Sequence, residues 1–348
     1  MIIWMNDQID IAAIKIGVVG AGSWGTALAN LLALKGFNID LWVFEEQVKD
    51  QIESLRENTE FLPGVSLSDR ISASNDMRNV VMGKDLVVVV VPSHVLRETA
   101  FQIREHISKD TIIVSASKGI ENKTHLTMSG VLREILYETD EASFAVLSGP
   151  SFAREVVKKM PTVVAVASKD LKVAGFVQHI FATPYFRVYT NNDMIGVEMG
   201  GAVKNVIAIA AGIIEGLGLG LNTRAALITR GLTEIRRLGL KLGANPRTFA
   251  GIAGIGDLVL TCTGKVSRNH MVGKKIGAGM KLNDILSEMR MVAEGVKTAK
   301  SVYNLSKKLG VEMPICHEVY HILYDGISPK EAVHRLMTRD LKNELDEV

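Results

Sequence analysis

Two groups of residues in this sequence have types and spacing suited to chemistry. The first is Gly20-Ala21-Gly22-Ser23-Trp24-Gly25, a G-x-G-x-x-G run. Glycines at this spacing permit a tight turn, close approach of backbone to a pyrophosphate, and close packing of a helix on a strand. The helix that follows offers its first amides to the anion. Spacing alone is weak evidence among 31 glycines, and Gly216/Gly218, Gly254/Gly256 and Gly277/Gly279 also form Gly-x-Gly pairs. The first run differs in its setting: it follows a strand-like segment, opens an apolar helical one and precedes a second strand. The other pairs read as turns or close helix contacts. Glu45 falls 20 residues after Gly25. An acid there can accept hydrogen bonds from an adenosine ribose and repels a 2′-phosphate. The alternative is a solvated loop glutamate, since Glu46 and Gln47 follow.

The second group lies later. Lys204 sits within Glu198–Gly216, where only three residues are charged. A helix apolar on nearly all faces is buried, and desolvation lowers the pKa of a lysine inside it toward proton transfer near neutral pH. An ordinary exposed lysine is the competing reading. Asp257 and Thr261, four apart, share a helix face if Gly256 ends a turn. Ser267-Arg268-Asn269 follows a Gly264 loop and opens another helical stretch, a combination suited to a phosphate. Lys118-Gly119 follows the strand-like Thr111–Ser115, at the carboxyl edge where α/β sheets bind ligands. Each piece alone also fits an ordinary cap or surface charge.

The elements that must position these residues alternate in the first half. Ile14–Val19, Phe37–Phe44, Asp85–Val91, Thr111–Ser115, Ser143–Leu147, Thr162–Ala167 and Tyr185–Thr190 read as strands. Thr26–Lys35 (closed by Gly36), His94–His106, Thr124–Tyr137 and Leu171–Ala182 read as helices. Continuous apolar runs such as the five valines after Leu86 suit a parallel sheet covered on both faces. Beyond Asn192 strand signals stop, and Met194–Leu240 reads as long helices. Ser328-Pro329-Lys330-Glu331 is a capping box before Val333, Leu336, Met337 and Leu341 at helical spacing. The expected architecture is α/β: a Rossmann-type doubly wound sheet over residues 1–192, then an all-α substrate-binding and catalytic domain over 193–348.

Composition agrees with a two-domain globular chain. The 348 residues are 47% hydrophobic and 22% charged, which excludes disorder and collagen. Forty basic against 38 acidic residues leave a net charge of +2, too weak a field to suggest a nucleic-acid or anionic-membrane partner. Any bound anion must be held by local cations. Two cysteines, Cys262 and Cys316, form no metal or redox motif and fit a reducing compartment. Asp7 and Asp10 stand where a signal peptide carries positive charge, and the apolar stretch Asn205–Ile214 is shorter than a membrane span. The expectation is a soluble, cytoplasmic protein without an integral membrane segment.

Gly20–Gly25 with Trp24, Ser115-Ala116-Ser117-Lys118-Gly119, Leu147-Ser148-Gly149-Pro150-Ser151-Phe152-Ala153, Gly201-Ala202-Val203-Lys204-Asn205, Gly256-Asp257-Leu258 and Ser267-Arg268-Asn269 occur in this order. From Ile14 to Arg335 the chain thereby resembles bacterial NAD(P)-dependent glycerol-3-phosphate dehydrogenase. The resemblance implies reversible reduction of dihydroxyacetone phosphate to sn-glycerol 3-phosphate for phospholipid synthesis, by a homodimer. It implies Lys204 as general acid/base and Lys118 and Asp257 as groups that orient and polarise the substrate. Gly149 and Ser151 are implied in the substrate pocket, and Arg268 and Asn269, with Ser267 alongside, on the phosphate. Ser23, Trp24, Ala153, Val292 and Glu294 are implied as cofactor contacts, with Arg268 and Lys118. The expected cofactor set also includes Gly20, Gly22, Gly25, Phe44 and Glu45. The family often carries a basic residue after its Leu-Trp second strand, but this chain reads Leu41-Trp42-Val43-Phe44-Glu45-Glu46. NAD is therefore expected to serve at least as well as NADP, with Lys49 as a remaining candidate cation.

Three rivals compete. His317-Glu318-Val319-Tyr320-His321 matches the zinc-protease pattern H-E-x-x-H. On a helix, however, Ile315, Val319, Ile322 and Leu323 form the apolar stripe and the histidines project away from it; no convincing third-ligand pattern follows, with Glu344 left open. A solvated helix face and no metal is the preferred reading. Another two-domain NAD-dependent hydroxy-acid, hydroxyacyl-CoA or phosphogluconate dehydrogenase is disfavoured by the Lys204, Asp257 and Ser267–Asn269 set. A catalytically silent NAD-binding sensor is disfavoured by the same residues.

Overall fold

The computed structural model describes residues 13–289 and 292–344. Asp7 and Asp10 lie outside the described residues. The chain divides into two compact units: Met1–Ser117 with Met128–Met194, and Lys118–Thr127 with Ile195–Val348.

The first unit alternates β1 (Ile16–Val19), α1 (Ser23–Lys35), β2 (Ile39–Trp42), α2 (Glu46–Leu55), β3 (Ile71–Ser74), α3 (Met77–Val81), β4 (Leu86–Val89), α4 (Leu96–Arg104) and β5 (Ile112–Ser115). It continues with α5 (Met128–Ile135), β6 (Phe144–Ser148), α6 (Ala153–Val157), β7 (Thr162–Ser168), α7 (Leu171–Phe181) and β8 (Phe186–Asn191). The strands form one sheet in the order β3-β2-β1-β4-β5-β6-β7-β8. Neighbours are parallel except β6 and β7, so the last two strands run against the first six. The valine run supplies β4, paired on one side with β1 (Ile16 opposite Leu86) and on the other with β5, and its residues are fully buried. Chain order reverses between β1 and β4, and the crevice outside the carboxyl ends of strands at such a point is where open α/β sheets bind ligands. In this unit, two short helices, one surface helix and an edge strand escaped the sequence reading. The edge strand β3 has one buried residue in four, α2 buries only Val48 and Ile52, and α3 and α6 are single short turns.

The second unit is helical: α8 (Met194–Gly216), α9 (Leu221–Lys241), α10 (Asp257–Thr263), α11 (Arg268–Gly277), α12 (Leu282–Ser287), α13 (Glu294–Leu309), α14 (Pro314–Tyr324) and α15 (Pro329–Met337). By length and composition, the 23-residue α8 could cross a membrane, which the shorter Asn205–Ile214 reading did not anticipate. Its apolar window is wholly buried in the protein, which makes it a core helix. Its crossing with α11 is close enough to need glycine on both sides. A Cβ on Gly212 would lie 2.0 Å from the His270 carbonyl oxygen, and one on Gly273 would lie 2.0 Å from that of Ile209. Buried Glu234 on α9 caps α14 from outside: its carboxylate accepts hydrogen bonds from the amides of Ile315 (2.7 Å) and Cys316 (3.0 Å), where Met313 offers no side-chain cap. Ser328 caps α15 as its sequence indicates, accepting from the Glu331 amide. The helix stops at Met337, however, and Met337 and Leu341 are exposed rather than part of an apolar stripe.

The expected division treated residues 1–192 as uninterrupted, whereas Lys118–Thr127 groups with the helical unit. Contacts to α13 explain this. Ser301 Oγ donates to the Ile120 carbonyl at 2.8 Å, Asn122 Nδ2 donates to the Lys297 carbonyl, and Ile120 joins the helical unit's apolar core.

Candidate active site

In the first unit, the glycine turn links β1 to α1. Gly20 has φ of +117°, and a Cβ there would lie 2.7 Å from the Val90 carbonyl oxygen. A Cβ on Gly25 would lie 1.9 Å from the Gly20 carbonyl oxygen, so this position closes helix onto turn. Gly22 is different: nothing lies within 4 Å of where its Cβ would be. The open side of the turn is therefore at the middle glycine. Gly22 is also the N-cap of α1, offers no side-chain cap, and no acid lies in the first helical turn. An uncapped helix start without carboxylates beside open space fits a pyrophosphate.

Other residues expected around the cofactor lie at carboxyl ends of strands in this unit. Phe44 and Glu45 follow β2, both exposed, with Glu45 the N-cap of α2. Asn75 holds this stretch by donating from Nδ2 to the Val43 carbonyl at 2.7 Å. The Trp24 ring packs at a tilt against Phe186. Gly149, with φ of +149°, follows β6; Ser151 Oγ donates to its carbonyl, and Ala153 opens α6.

In the second unit, three charged side chains and one hydroxyl converge. Gly200 admits the Ala253 carbonyl to 2.3 Å from its absent Cβ, seating the π-helical turn Ile252–Gly256 that delivers Asp257 to α8. Asp257 is fully buried. Its Oδ1 accepts a hydrogen bond from Lys204 Nζ and its Oδ2 one from Lys118 Nζ at 2.9 Å. Lys204 Nζ also donates to Thr261 Oγ1 at 2.9 Å, and Thr261 Oγ1 donates to the Asp257 backbone carbonyl at 2.6 Å. The four-residue spacing of Asp257 and Thr261 thus presents both acceptors to one ammonium. Burial pulls Lys204 down to about 7; the Asp257 charge resists this and the Lys118 charge adds to it. A lysine in this state holds and releases a proton with equal ease near neutral pH.

Ser267, Arg268 and Asn269 lie at the start of α11, with Ser267 as N-cap accepting from the His270 amide. Burial around the Arg268 guanidinium lowers its pKa, and the Glu294 charge opposes that shift. The buried Asn269 is a tie between three helices. Its Nδ2 donates to Asn205 Oδ1 at 2.9 Å, beside Lys204 on α8, and its Oδ1 accepts from the Gly295 amide at 2.9 Å, on α13. Glu294 opens α13, and Val292 is partly exposed just before it. Sequence reasoning did not single out Asn205 or Ser301, whose partners lie 64 and 181 residues away.

Comparison with known families decides the assignment. Residues 15–174 match the family described as NAD-dependent glycerol-3-phosphate dehydrogenase N-terminus, and residues 193–334 match its C-terminus. The chain belongs to the NAD-dependent glycerol-3-phosphate dehydrogenase family. This dehydrogenase is 56% identical over 331 residues to glycerol-3-phosphate dehydrogenase [NAD(P)+] of Syntrophobacter fumaroxidans, covering 95% of this chain and 97% of that one. Its identity to the Geobacter sulfurreducens protein of the same name is 56% over 330 residues, covering 95% and 98%. The crystal structure of glycerol-3-phosphate dehydrogenase from Coxiella burnetii superposes with a TM-score of 0.90 at 38% identity, covering 94% of this chain and all of that one. The dehydrogenase is accordingly an NAD(P)-dependent oxidoreductase with a Rossmann-type first unit and a helical second unit.

The His317–His321 motif has a packing explanation. Both rings meet Tyr303 of α13 edge-on; His317 Nε2 pairs with Ser306 Oγ at 2.8 Å and His321 Nδ1 with Asp325 at 2.6 Å. The two rings are half-buried against a neighbouring helix rather than on a solvated face. Among the described residues, no three His, Cys, Asp or Glu side chains gather as a metal site.

Proposed function

We propose that Lys204 is the general acid/base with which this dehydrogenase interconverts dihydroxyacetone phosphate and sn-glycerol 3-phosphate. The observation that carries this is its buried ammonium, held by Asp257 and Thr261, with a pKa of about 7. Two of the ammonium's three N–H donors point to these partners, leaving the third for the substrate C2 oxygen. NAD(P)H, when bound, supplies the hydride that C2 receives. During reduction Lys204 gives its proton to the C2 oxygen, becomes a neutral amine and is reprotonated from solvent. In the reverse direction the neutral amine takes the hydroxyl proton. Asp257 keeps Lys204 and Lys118 in register, and the Lys118 ammonium orients the substrate oxygens.

Arg268 and the first amides of α11 hold the phosphate, with Ser267 fixing the helix start. The Asn269 side chain already serves Asn205 and Gly295, so its contribution to phosphate is its backbone amide and one remaining N–H. Gly149 and Ser151 are further candidates for the substrate. The turn Gly20, Gly22 and Gly25 holds the pyrophosphate, with Ser23, Trp24, Phe44, Glu45, Lys118, Ala153, Arg268, Val292 and Glu294 as further cofactor contacts. Glu45 supports use of NAD at least as well as NADP. We also propose a homodimer that acts in the cytoplasm and feeds glycerophospholipid synthesis; its two buried, unpaired cysteines suit a reducing compartment.

The test follows oxidation of NADH and NADPH with dihydroxyacetone phosphate, for the wild type and Lys204→Ala, beside reduction of NAD+ and NADP+ with glycerol 3-phosphate, 2-hydroxy acids and phosphogluconate. Turnover with dihydroxyacetone phosphate and glycerol 3-phosphate alone, lost by at least about a hundredfold in the variant, is expected. Unchanged turnover in Lys204→Ala would overturn the mechanism, and a large preference for NADPH would overturn the reading of Glu45.

A further inference from the structure

The Ala21 carbonyl of the glycine turn is buried and takes two side-chain donors. Thr26 Oγ1 donates to it at 3.0 Å from within α1, and Asn58 Nδ2 donates at 2.8 Å from the loop between α2 and β3. Asn58 is fully buried, 37 residues from Ala21, and lies outside the G-x-G-x-x-G fingerprint. Its second Nδ2 hydrogen goes to Thr26 Oγ1 at 2.9 Å, and its Oδ1 accepts from the Phe61 amide at 2.9 Å. The same loop returns to the turn at Ser23, whose Oγ donates to the Phe61 carbonyl at 2.6 Å. These partners fix which end of the amide faces the turn, because a flipped amide would set Oδ1 against the Ala21 oxygen.

A trans peptide is planar, with its C=O and N–H pointing in opposite directions. Two donors that hold the Ala21 oxygen inward therefore hold the Gly22 N–H on the opposite side of the peptide plane, away from Thr26 and Asn58. We infer that Asn58 is a positioning residue for the dinucleotide pyrophosphate, acting through the Ala21–Gly22 peptide plane. This rests on the reading that the glycine turn holds that pyrophosphate. With the plane locked before binding, the Gly22 donor need not be ordered by the ligand, and affinity gains by that preorganisation. Aspartate at position 58 is the harshest change of similar shape, since it sets a second acceptor against the Ala21 oxygen and adds negative charge under an anion.

NADH binding is measured by titration calorimetry on the full chain without substrate, for Asn58→Ala, Asn58→Asp, Thr26→Val and Gly22→Leu. Amide hydrogen exchange of residues 20–26 is followed without cofactor. Kd is expected to rise about tenfold in Asn58→Ala and Thr26→Val, and further in Asn58→Asp. Exchange at the amide of residue 26, which donates to the Gly22 carbonyl, quickens, while kcat at saturating NADH and KM for dihydroxyacetone phosphate stay within about twofold. If Asn58→Ala does not fold, Thr26→Val carries the same test. Gly22→Leu losing NADH while folded Asn58→Ala or Thr26→Val keeps wild-type Kd and exchange overturns the inference. An equal rise in KM for both substrates overturns it too, since that is the mark of general loosening. Wild-type Kd in Gly22→Leu instead overturns the assignment of the turn, and the inference with it.

Discussion

Replacing Asp257 by Asn keeps the side-chain shape and removes the one negative charge shared by Lys204 and Lys118. A unit charge in contact contributes about 4 kcal/mol at an effective dielectric near 20, equivalent to about three pKa units. Lys204, at about 7 with Asp257 beside it, then has only burial and the Lys118 charge acting on it, and both push downward. Its pKa falls toward about 4, and the ammonium fraction at pH 7.5 drops from roughly a quarter to below one in a thousand. The assay is kcat/KM for dihydroxyacetone phosphate reduction between pH 5 and 9, with glycerol 3-phosphate oxidation over the same range. Reduction near pH 7.5 is expected to fall by about three orders of magnitude, with its apparent pKa displaced to the acid side. The base-limited limb of oxidation moves acidward by the same amount. Lys118→Met supplies the opposite sign: with a neighbouring cation gone, the Lys204 pKa rises. An apparent pKa in Asp257→Asn within half a unit of wild type would refute the electrostatic role of Asp257, whatever the loss in rate.

Two further outcomes test parts of the helical unit. Burial pushes Glu234 up to about 7 although the Ile315 and Cys316 amides favour its ionised form. Its folded pKa therefore lies above the unfolded value, the native state binds more protons between about pH 4.5 and 7, and stability falls as pH rises through that window. The fall amounts to roughly 3 kcal/mol at most, and urea midpoints against pH should lose it in Glu234→Gln; parallel curves for the two proteins would remove Glu234 as the cause. Gly212→Ala, whose new methyl meets α11 backbone, is expected to lower stability by about 1–3 kcal/mol and raise KM for dihydroxyacetone phosphate. Gly175→Ala, with nothing within 4 Å, serves as the control for an identical change on a helix, and equal effects at both positions would contradict the crossing.

What could be read from the sequence was whatever rests on local spacing. The valine run is apolar at every position because β4 is covered on both faces, and the glycine turn shows itself through the strand before it and the helix after it. Lys204 stood out because a charge is rare in so apolar a helix, and Asp257 and Thr261 because four residues make one helical turn. Residues whose meaning lies in distant partners left no such signal. Asn58 is one asparagine in a loop until its amide meets Ala21, and Glu234 is one more acid on an amphipathic helix until α14 starts above it. Lys118 looked like the end of a Rossmann strand, but its segment packs on α13 through Ile120, a partnership that no run of neighbouring residues encodes.

The glycine crossing of α8 and α11 also bears on which molecules this enzyme can accept. Helices packed through leucine or isoleucine adjust to a new ligand by sliding on compressible side chains, whereas backbones in direct contact have no such layer to deform. Lys204 rides on one of these backbones and Arg268 starts the other, and the Asn269–Asn205 bond pins them a second time. On the proposed roles of Lys204 and Arg268, the span from proton donor to phosphate ligand is thereby held by backbone contact. Such a span would gauge the number of bonds between a carbonyl and its phosphate, and a ketone one methylene longer is expected to react more slowly, as kcat/KM for the two ketones would show. Redesign toward longer phosphorylated substrates would therefore begin at Gly212 and Gly273, where the two backbones meet.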